Sequence, residues 1–328
     1  MCKAKHMLLT GSLFASFFLP TIWVDQVQSQ EKFPIRPLEI IVSTGAGGGA
    51  DTTLRIVLNA IEPFLGQKAV VINKPGAVAT LGHGLVARAK PDGYTLGLLT
   101  DGPLTQIRHV MKLDYTLNDF SYITNLVQYA GLWCVRSEFP AKNAEEFFEY
   151  ARKQPGKLTY GMDGVGGIHQ FAGERIFHAM KVKLRPIPYD NAGEVLKALL
   201  GGHIDVAGTV SNVALPHIKA GTIRCLFVTS RERMEGIPGA VGVSDLGHPE
   251  AETLNFRGIG GPKGISADRL AILEKAFRQA AQTDKVKDAI EKMGDRVVAS
   301  SGKQFEDMVR SQDAVNATIA KEIGLAPK

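Results

Sequence analysis

The sequence predicts an α/β protein built as two lobes. Three observations carry this. Strand-like and helix-like stretches alternate from residue 38 to the end. The chain has 328 residues, more than one typical core accommodates. Twice, a glycine-rich loop joins an apolar strand to an amphipathic helix. Strands are expected over 38–43, 69–73, 94–99, 132–135, 158–161, 184–188, 204–207, 223–228 and 256–259, in mainly parallel sheets. Leu54, Val57, Leu58, Ile61 and Leu65 form an apolar stripe at helical spacing, with Gly66 as its stop and Pro63 expected to kink the last turn. The helix over 194–200 stops at Gly201-Gly202. Ser301 and Gln304 fit a capping box ahead of a long C-terminal helix. The stretches 132–137 and 223–230 read as crossings. They divide the chain into lobe I, residues 30–133 with 230–328, and lobe II, residues 134–229. Closure of two such lobes is a familiar way to trap a ligand.

Hydrophobic residues at 45% and charged residues at 22% are ordinary for a folded soluble chain. The net charge is +5, but the basic residues are scattered without a run of five or six, which argues against a nucleic-acid surface. At the N-terminus Lys3 and Lys5 precede an apolar stretch over 7–22, interrupted by Thr10, Ser12, Ser16 and Pro20. It falls short of a comfortable membrane span of about 20 residues. Val27 and Ser29 are small enough for a cleavage site, so residues 1–29 read as a removable export signal. The mature protein is expected to be exported, periplasmic in a host with two membranes, and a monomer. Cys134 and Cys225 remain, both in expected strands, either as a disulfide or as small buried hydrophobes. No Cys/His cluster has metal-ligand spacing, and neither metal nor cofactor is expected.

The chemistry-bearing segments are the two loops. In the first, Ser43, Thr44, Gly45, Ala46, Gly47, Gly48 and Gly49 follow a strand and open a helix that carries Asp51. Glycines let backbone N–H groups approach a ligand, and the helix start adds free donors and partial positive charge; together they suit an anion. G-x-G-x-x-A also approaches the dinucleotide fingerprint, but the next strand ends in Asn73-Lys74 where a ribose-binding acid is needed. A tight turn without a ligand is the plainer alternative. In the second loop, Asp163, Gly164, Val165, Gly166, Gly167, Ile168 and His169 again run from a strand into a helix. Two such loops, one per lobe, would grip one anion from opposite sides. His169 either contacts the ligand or is solvated at the helix start. His83, His109, His178, His203 and His217 have no sequence-local nucleophile or acid partner, and there is no G-x-S-x-G or H-E-x-x-H, so an enzyme is not expected; the alternative is an exported hydrolase whose triad is assembled from distant residues.

Several ordered motifs accompany the loops: Phe33-Pro34-x-Arg36-Pro37, Ala46-Gly47-Gly48-Gly49-x-Asp51, Asn73-Lys74-Pro75-Gly76-Ala77 and Ala89-x-Pro91-Asp92-Gly93-Tyr94-Thr95-Leu96. Ala172-Gly173-Glu174, Pro188-Tyr189, Leu199-Leu200-Gly201-Gly202-x-x-Asp205 and a segment over 215–221 complete the set. On these residues the chain resembles the Bug-type solute receptors, the binding proteins of tripartite tricarboxylate transport systems, over residues 33–328. The resemblance implies a type II periplasmic-binding-protein fold, two α/β lobes joined by hinge strands, closing on a small organic carboxylate held by loop amides and hydroxyls. It implies a membrane transporter as partner, or a sensor kinase for a signalling relative. Asp51 matches the family's acidic residue, either capping the helix or anchoring the ligand's far end.

The departures lie at the loops. Ser43-Thr44-Gly45 replaces Pro-Phe-Pro, Val78 and Ala79 replace two glycines, Gly167 replaces a serine and Gln170 a histidine. Asp190-Asn191 replaces Lys-Gly, and Thr209 stands where a second aspartate is common, which makes it a candidate for the pocket wall. Asp190 in place of a cation is expected to disfavour highly charged ligands, unless it only caps the following helix.

Overall fold

The computed structural model describes residues 32–325; the expected export signal lies outside them. The chain opens with β1 (Leu38–Val42), α1 (Gly49–Leu58), the one-turn α2 (Glu62–Leu65), β2 (Ala69–Asn73), α3 (Thr80–Ala87) and β3 (Thr95–Thr100). Two short irregular helices, Gly102–Gln106 and Ile107–His109, lead to β4 (Phe120–Ala130). A second run follows: β5 (Leu132–Arg136), α4 (Ala144–Arg152), β6 (Thr159–Met162), α5 (Ile168–Ala179), β7 (Arg185–Pro188), α6 (Ala192–Leu200), β8 (Val206–Thr209), α7 (Ser211–Lys219) and β9 (Ile223–Val228). The chain ends with β10 (Leu254–Pro262), α8 (Ala267–Ala281), α9 (Asp284–Glu291), β11 (Arg296–Val297) and α10 (Gly302–Glu322). No helix among the described residues is long and apolar enough to cross a membrane.

The strands form two sheets, ordered β11-β4-β10-β3-β1-β2 and β7-β6-β8-β5-β9. Both are mixed, which corrects the expectation of mainly parallel sheets. β1 runs parallel to β2 and β3, and β6 to β7 and β8, each joined through helices. The strands that carry the chain between sheets run the other way: β10 against β3 and β4, and β5 against β8 and β9. β4 passes to β5, and so from the first sheet to the second, through Gly131 alone.

β4 was not expected as a strand, and its burial explains why. Ser121, Thr124, Asn125 and Gln128 break the apolar run, yet the strand is enclosed on both faces, with α8 and α10 packed against it, so neither alternation nor a clean apolar run marks it. β10 extends beyond the expected 256–259 at both ends, on the far side through Gly260 and Gly261. A Cβ at Gly258 would lie 2.4 Å from the Phe305 ring, which packs edge-on to Phe256 and Tyr122. The stripe over 54–65 is two helices rather than one kinked helix. α1 ends at Leu58, and Pro63 sits in the first turn of α2, where its missing N–H costs nothing. Gly66 closes α2 at φ 75°, and the Ser301–Gln304 capping box forms at α10.

The second sheet carries an aromatic core: Trp133 stacks on Phe227 and meets Phe177 and Tyr160 edge-on or tilted. Truncating such a ring costs about 3–5 kcal/mol. After β9, Val243 and Ala251 join this core before the chain returns to the first sheet. Thr229 joins the passages between sheets. Its hydroxyl accepts from the Gly131 N–H at 2.8 Å and donates to the Thr253 carbonyl at 2.6 Å. Its backbone pairs with the same two residues, at 3.0 and 2.8 Å. Cys134 and Cys225 face each other across β5 and β9 as buried free thiols.

Candidate functional site

The first loop leaves β1 at the edge where the parallel strands of the first sheet end. Gly48 is the N-cap of α1 and no side chain caps that turn, so its first N–H groups stay available. Gly45 to Gly48 are exposed, and Gly47 takes φ 81°. The loop is held from behind. Asp51 accepts from the Gly47 N–H at 2.9 Å, from Asn73 Nδ2 at 2.9 Å and from Arg55 Nε at 2.8 Å. Arg55 is the main cause that holds its carboxyl far below the usual carboxylate range. Asn73 Nδ2 also donates to the Thr44 carbonyl at 3.0 Å. Asp51 is thus a strut of the loop, with its oxygens engaged inside the protein.

His83, on α3, completes that support. Its Nε2 accepts from the Thr100 N–H at 3.1 Å, which assigns the proton to Nδ1. Nδ1 lies 3.0 Å from the Ala79 carbonyl and 2.9 Å from the Ser43 hydroxyl. Burial pushes its pKa down to about 4, so the ring is neutral at pH 7. One neutral imidazole therefore joins the ends of β1 and β3.

The second loop leaves β6 at the matching edge of the second sheet. Gly164 and Gly166 take φ 95° and 75°, and a Cβ at Gly167 would lie 2.5 Å from the Asp163 carbonyl. Val165 is 53% exposed at the tip. Gln170 Oε1 accepts from the Gly166 N–H at 2.7 Å. His169 is 1% exposed. Its Nδ1 lies 2.8 Å from Asp163 Oδ1, and its Nε2 2.9 Å from the Thr209 carbonyl. Burial opposes charge on this ring, but Asp163, the Thr209 carbonyl and Asp101 outweigh it and raise the pKa. With a carboxylate beside one nitrogen and a carbonyl at the other, the ring favours the charged form and braces the second loop against β8.

Asp190 is exposed where β7 ends, beside β6. The cap of α6 is Asn191, whose Oδ1 accepts from the Glu194 N–H at 3.1 Å, so Asp190 does not have the capping role.

The floor between the loops is made of residues that the sequence reading did not select. Asp101 follows β3, is 2% exposed, and has its pKa pushed up to about 7 by burial. Arg257, buried in β10, ion-pairs with Asp295, donates to Thr53 Oγ1 at 3.0 Å and lies 4.1 Å over the Tyr129 ring. A Cβ at Gly49 would stand 3.1 Å from Arg257 Nη2, so this cation lies directly under the start of α1. Burial opposes its charge, while Tyr129, Asp295 and Asp101 favour it. Arg257 did carry a local signal: a cation inside a strand expected to be buried. Asp101 carried none beyond its place at a strand end. Tyr129 and Asp295 also line a cavity of about 700 Å³ walled by residues from 230–236 and 288–296, and no residue of the two glycine loops lines it.

A family profile described as "Tripartite tricarboxylate transporter family receptor" matches residues 53–325. The chain is 29% identical over 327 residues to a Cupriavidus necator protein called "UPF0065 protein in gbd 5'region", covering 99% of each. The solved periplasmic binding protein BugD is 27% identical with a TM-score of 0.76, over 90% of this chain and 100% of that one. An R. palustris protein solved with adipate shares the fold at a TM-score of 0.79 and 23% identity, over 90% of this chain and 100% of that one.

Proposed function

The chain belongs to the tripartite tricarboxylate transporter receptor family, a family of solute-binding receptors rather than enzymes, and we propose that this member captures a small carboxylate between its two sheets for a membrane transporter. One observation carries the reading most directly. Each sheet ends its parallel strands in a glycine loop that opens a helix without a capping side chain, and each loop is fixed from behind by a buried histidine. Uncapped N–H donors at a helix start, on a loop held rigid, are what a carboxylate needs. The R. palustris protein with adipate makes dicarboxylates the first class to try.

In this reading the amides of Gly45, Ala46 and Gly49 grip the ligand from one lobe and those of Gly164 and Val165 from the other, while the N–H groups of Gly47 and Gly166 are held by Asp51 and Gln170; the hydroxyls of Thr44 and Thr209 stand on the walls. Asp51 and His169 hold the loops in shape. The lobes close about Gly131 and Thr229, and ligand favours the closed form by its greater affinity for it. The protein works in the periplasm, as a monomer, after loss of residues 1–29. A thermal-shift screen of the mature protein against mono-, di- and tricarboxylates tests this. A ligand at about 100 times its Kd adds about 2.7 kcal/mol of stability. A class of acids that raises the Tm and is recovered unchanged is the expected result. Ligand-free protein that responds to no acid overturns the reading.

A further inference from the structure

Among the buried polar side-chain atoms without a well-formed hydrogen bond, four lie at the two loops: Thr44 Oγ1 in the first loop, His169 Nδ1 in the second with the Asp163 carboxylate beside it, Thr209 Oγ1 next to it, and Asp101 Oδ2 on the floor. The two hydroxyls can rotate to suit a neighbour. The carboxylate oxygen cannot: once ionised it only accepts, and no donor of the described residues makes a well-formed hydrogen bond to Oδ2, although the backbone N–H groups of Asp101 and Phe256 favour the charged carboxyl. Leaving a buried acceptor unmet costs free energy, and folded proteins keep such atoms where water or a ligand meets them. Asp101 also stands at the junction of the sheets. It interacts electrostatically with Asp163 and His169 from the second sheet and with Arg257 from its own. Ile168 of the second loop lies 3.7 Å from where a Cβ of the adjacent Gly102 would stand.

We infer that Asp101 is a specificity residue that receives a hydrogen-bond donor on the ligand, so that the preferred solute is an amino or hydroxy acid rather than a bare one. This rests on the carboxylate reading above. The ligand's carboxylate takes the loop amides, and its ammonium or hydroxyl group takes Asp101 Oδ2. A second carboxylate placed there would face Asp101 and Asp163, while the nearby basic groups are already engaged, Arg257 by Asp295 and Thr53 and His169 by Asp163 and the Thr209 carbonyl. The ammonium form has the larger advantage, because its donor is charged.

The test is titration calorimetry at pH 8 on ligand-stripped protein with two matched sets: propanoate, lactate and alanine; succinate, malate and aspartate. In at least one set the donor-bearing acid is expected to bind tenfold or more tightly than the bare acid. Asp101→Asn, which keeps the shape, is expected to cut that preference at least fivefold for the ammonium ligand. Asp101→Ser and circular dichroism of both variants check that the change is not one of folding. If the bare acid binds as tightly as its partners, or the preference survives in both variants, the inference falls and a buried water accounts for the oxygen. If no acid of either set binds wild type or variants, the carboxylate reading itself falls, and this inference with it.

Discussion

The two glycine loops share a local grammar and differ in what stands behind them. Behind the first is a neutral histidine, His83, which accepts a backbone N–H and faces a carbonyl and a hydroxyl. Behind the second is one whose charged form is favoured, His169, between Asp163 and the Thr209 carbonyl. Burial is nearly complete for both, so burial alone does not decide protonation. The partners do: a donor at one ring nitrogen fixes a neutral tautomer, and acceptors at both favour the cation. The same task, holding a loop rigid at a strand end, is met by a hydrogen-bond network in one place and by a buried ion pair in the other.

The sharpest way to break this comparison is to remove each ring. His169→Leu strips the cation from a buried pair and is expected to destabilise the protein by about 3–5 kcal/mol in urea unfolding. His83→Leu leaves the Thr100 N–H unmet and is expected to cost about 1–3 kcal/mol. Equal losses would mean that His169 is neutral as well.

Acid and base should separate the loops with opposite signs. The folded pKa of His83 is depressed to about 4, so its contribution is present above its unfolded value of about 6.5 and is lost as pH falls below that. Between pH 7 and pH 5 wild type is expected to lose about 2 kcal/mol that a His83→Gln variant does not lose. The folded pKa of His169 is raised, so its contribution is full below about 6.5 and is lost as pH rises through the folded value. A His169→Gln variant is therefore expected to lose less stability than wild type toward alkaline pH. Denaturant midpoints across pH 4–9 for the three proteins check both signs.

These contrasts also mark what the sequence could reveal. The loops were legible because a glycine run between strand and helix is a local pattern. Their supports were less so: Arg257 stood out as a cation inside a strand, but residues 83, 101 and 295 reach their partners only through the order of strands in the sheets, which no local spacing encodes. Most strands were legible from apolar runs; β4 was not, because buried Thr124 and Asn125 imitate a loop. The motif residues that carried the family resemblance are largely struts. Asn73 holds the first loop, Asp205 accepts from Thr159 at 2.8 Å, and Glu174 accepts from the Tyr160 hydroxyl at 2.6 Å. A family signature can therefore be strong while it says little about the ligand.

Backbone strain falls on one side of the comparison too. The second loop puts its left-handed turns on Gly164 and Gly166. The turn that leads to α3 and His83 puts them on Ala77, Val78 and Ala79, at φ 47°, 53° and 64°. Side chains with a Cβ are disfavoured there, a β-branched one most of all. Glycine at 78 or 79 removes that strain but adds freedom to the unfolded chain. Val78→Gly and Ala79→Gly are each expected to gain about 0.5–1 kcal/mol. Loss in both would mean that the turn depends on contacts of these side chains.

The smallest expected effect concerns charge at the rim of the second loop. Asp190 is exposed and Asn191 already caps α6, so Asp190→Lys should leave stability within about 0.5 kcal/mol. Its influence is on the ligand through solvent, where a charge contact is worth about 0.2–1 kcal/mol. Citrate is expected to bind the Asp190→Lys protein about 2–5-fold more tightly than wild type at low salt. The gain should fade near 1 M salt, where screening acts within about 3 Å. A monocarboxylate should respond less than citrate, since fewer charges feel the change. If citrate binds wild type more tightly than the variant, Asp190 is no barrier to highly charged ligands. Discrimination would then rest on the buried floor, with Asp101, rather than on the exposed rim.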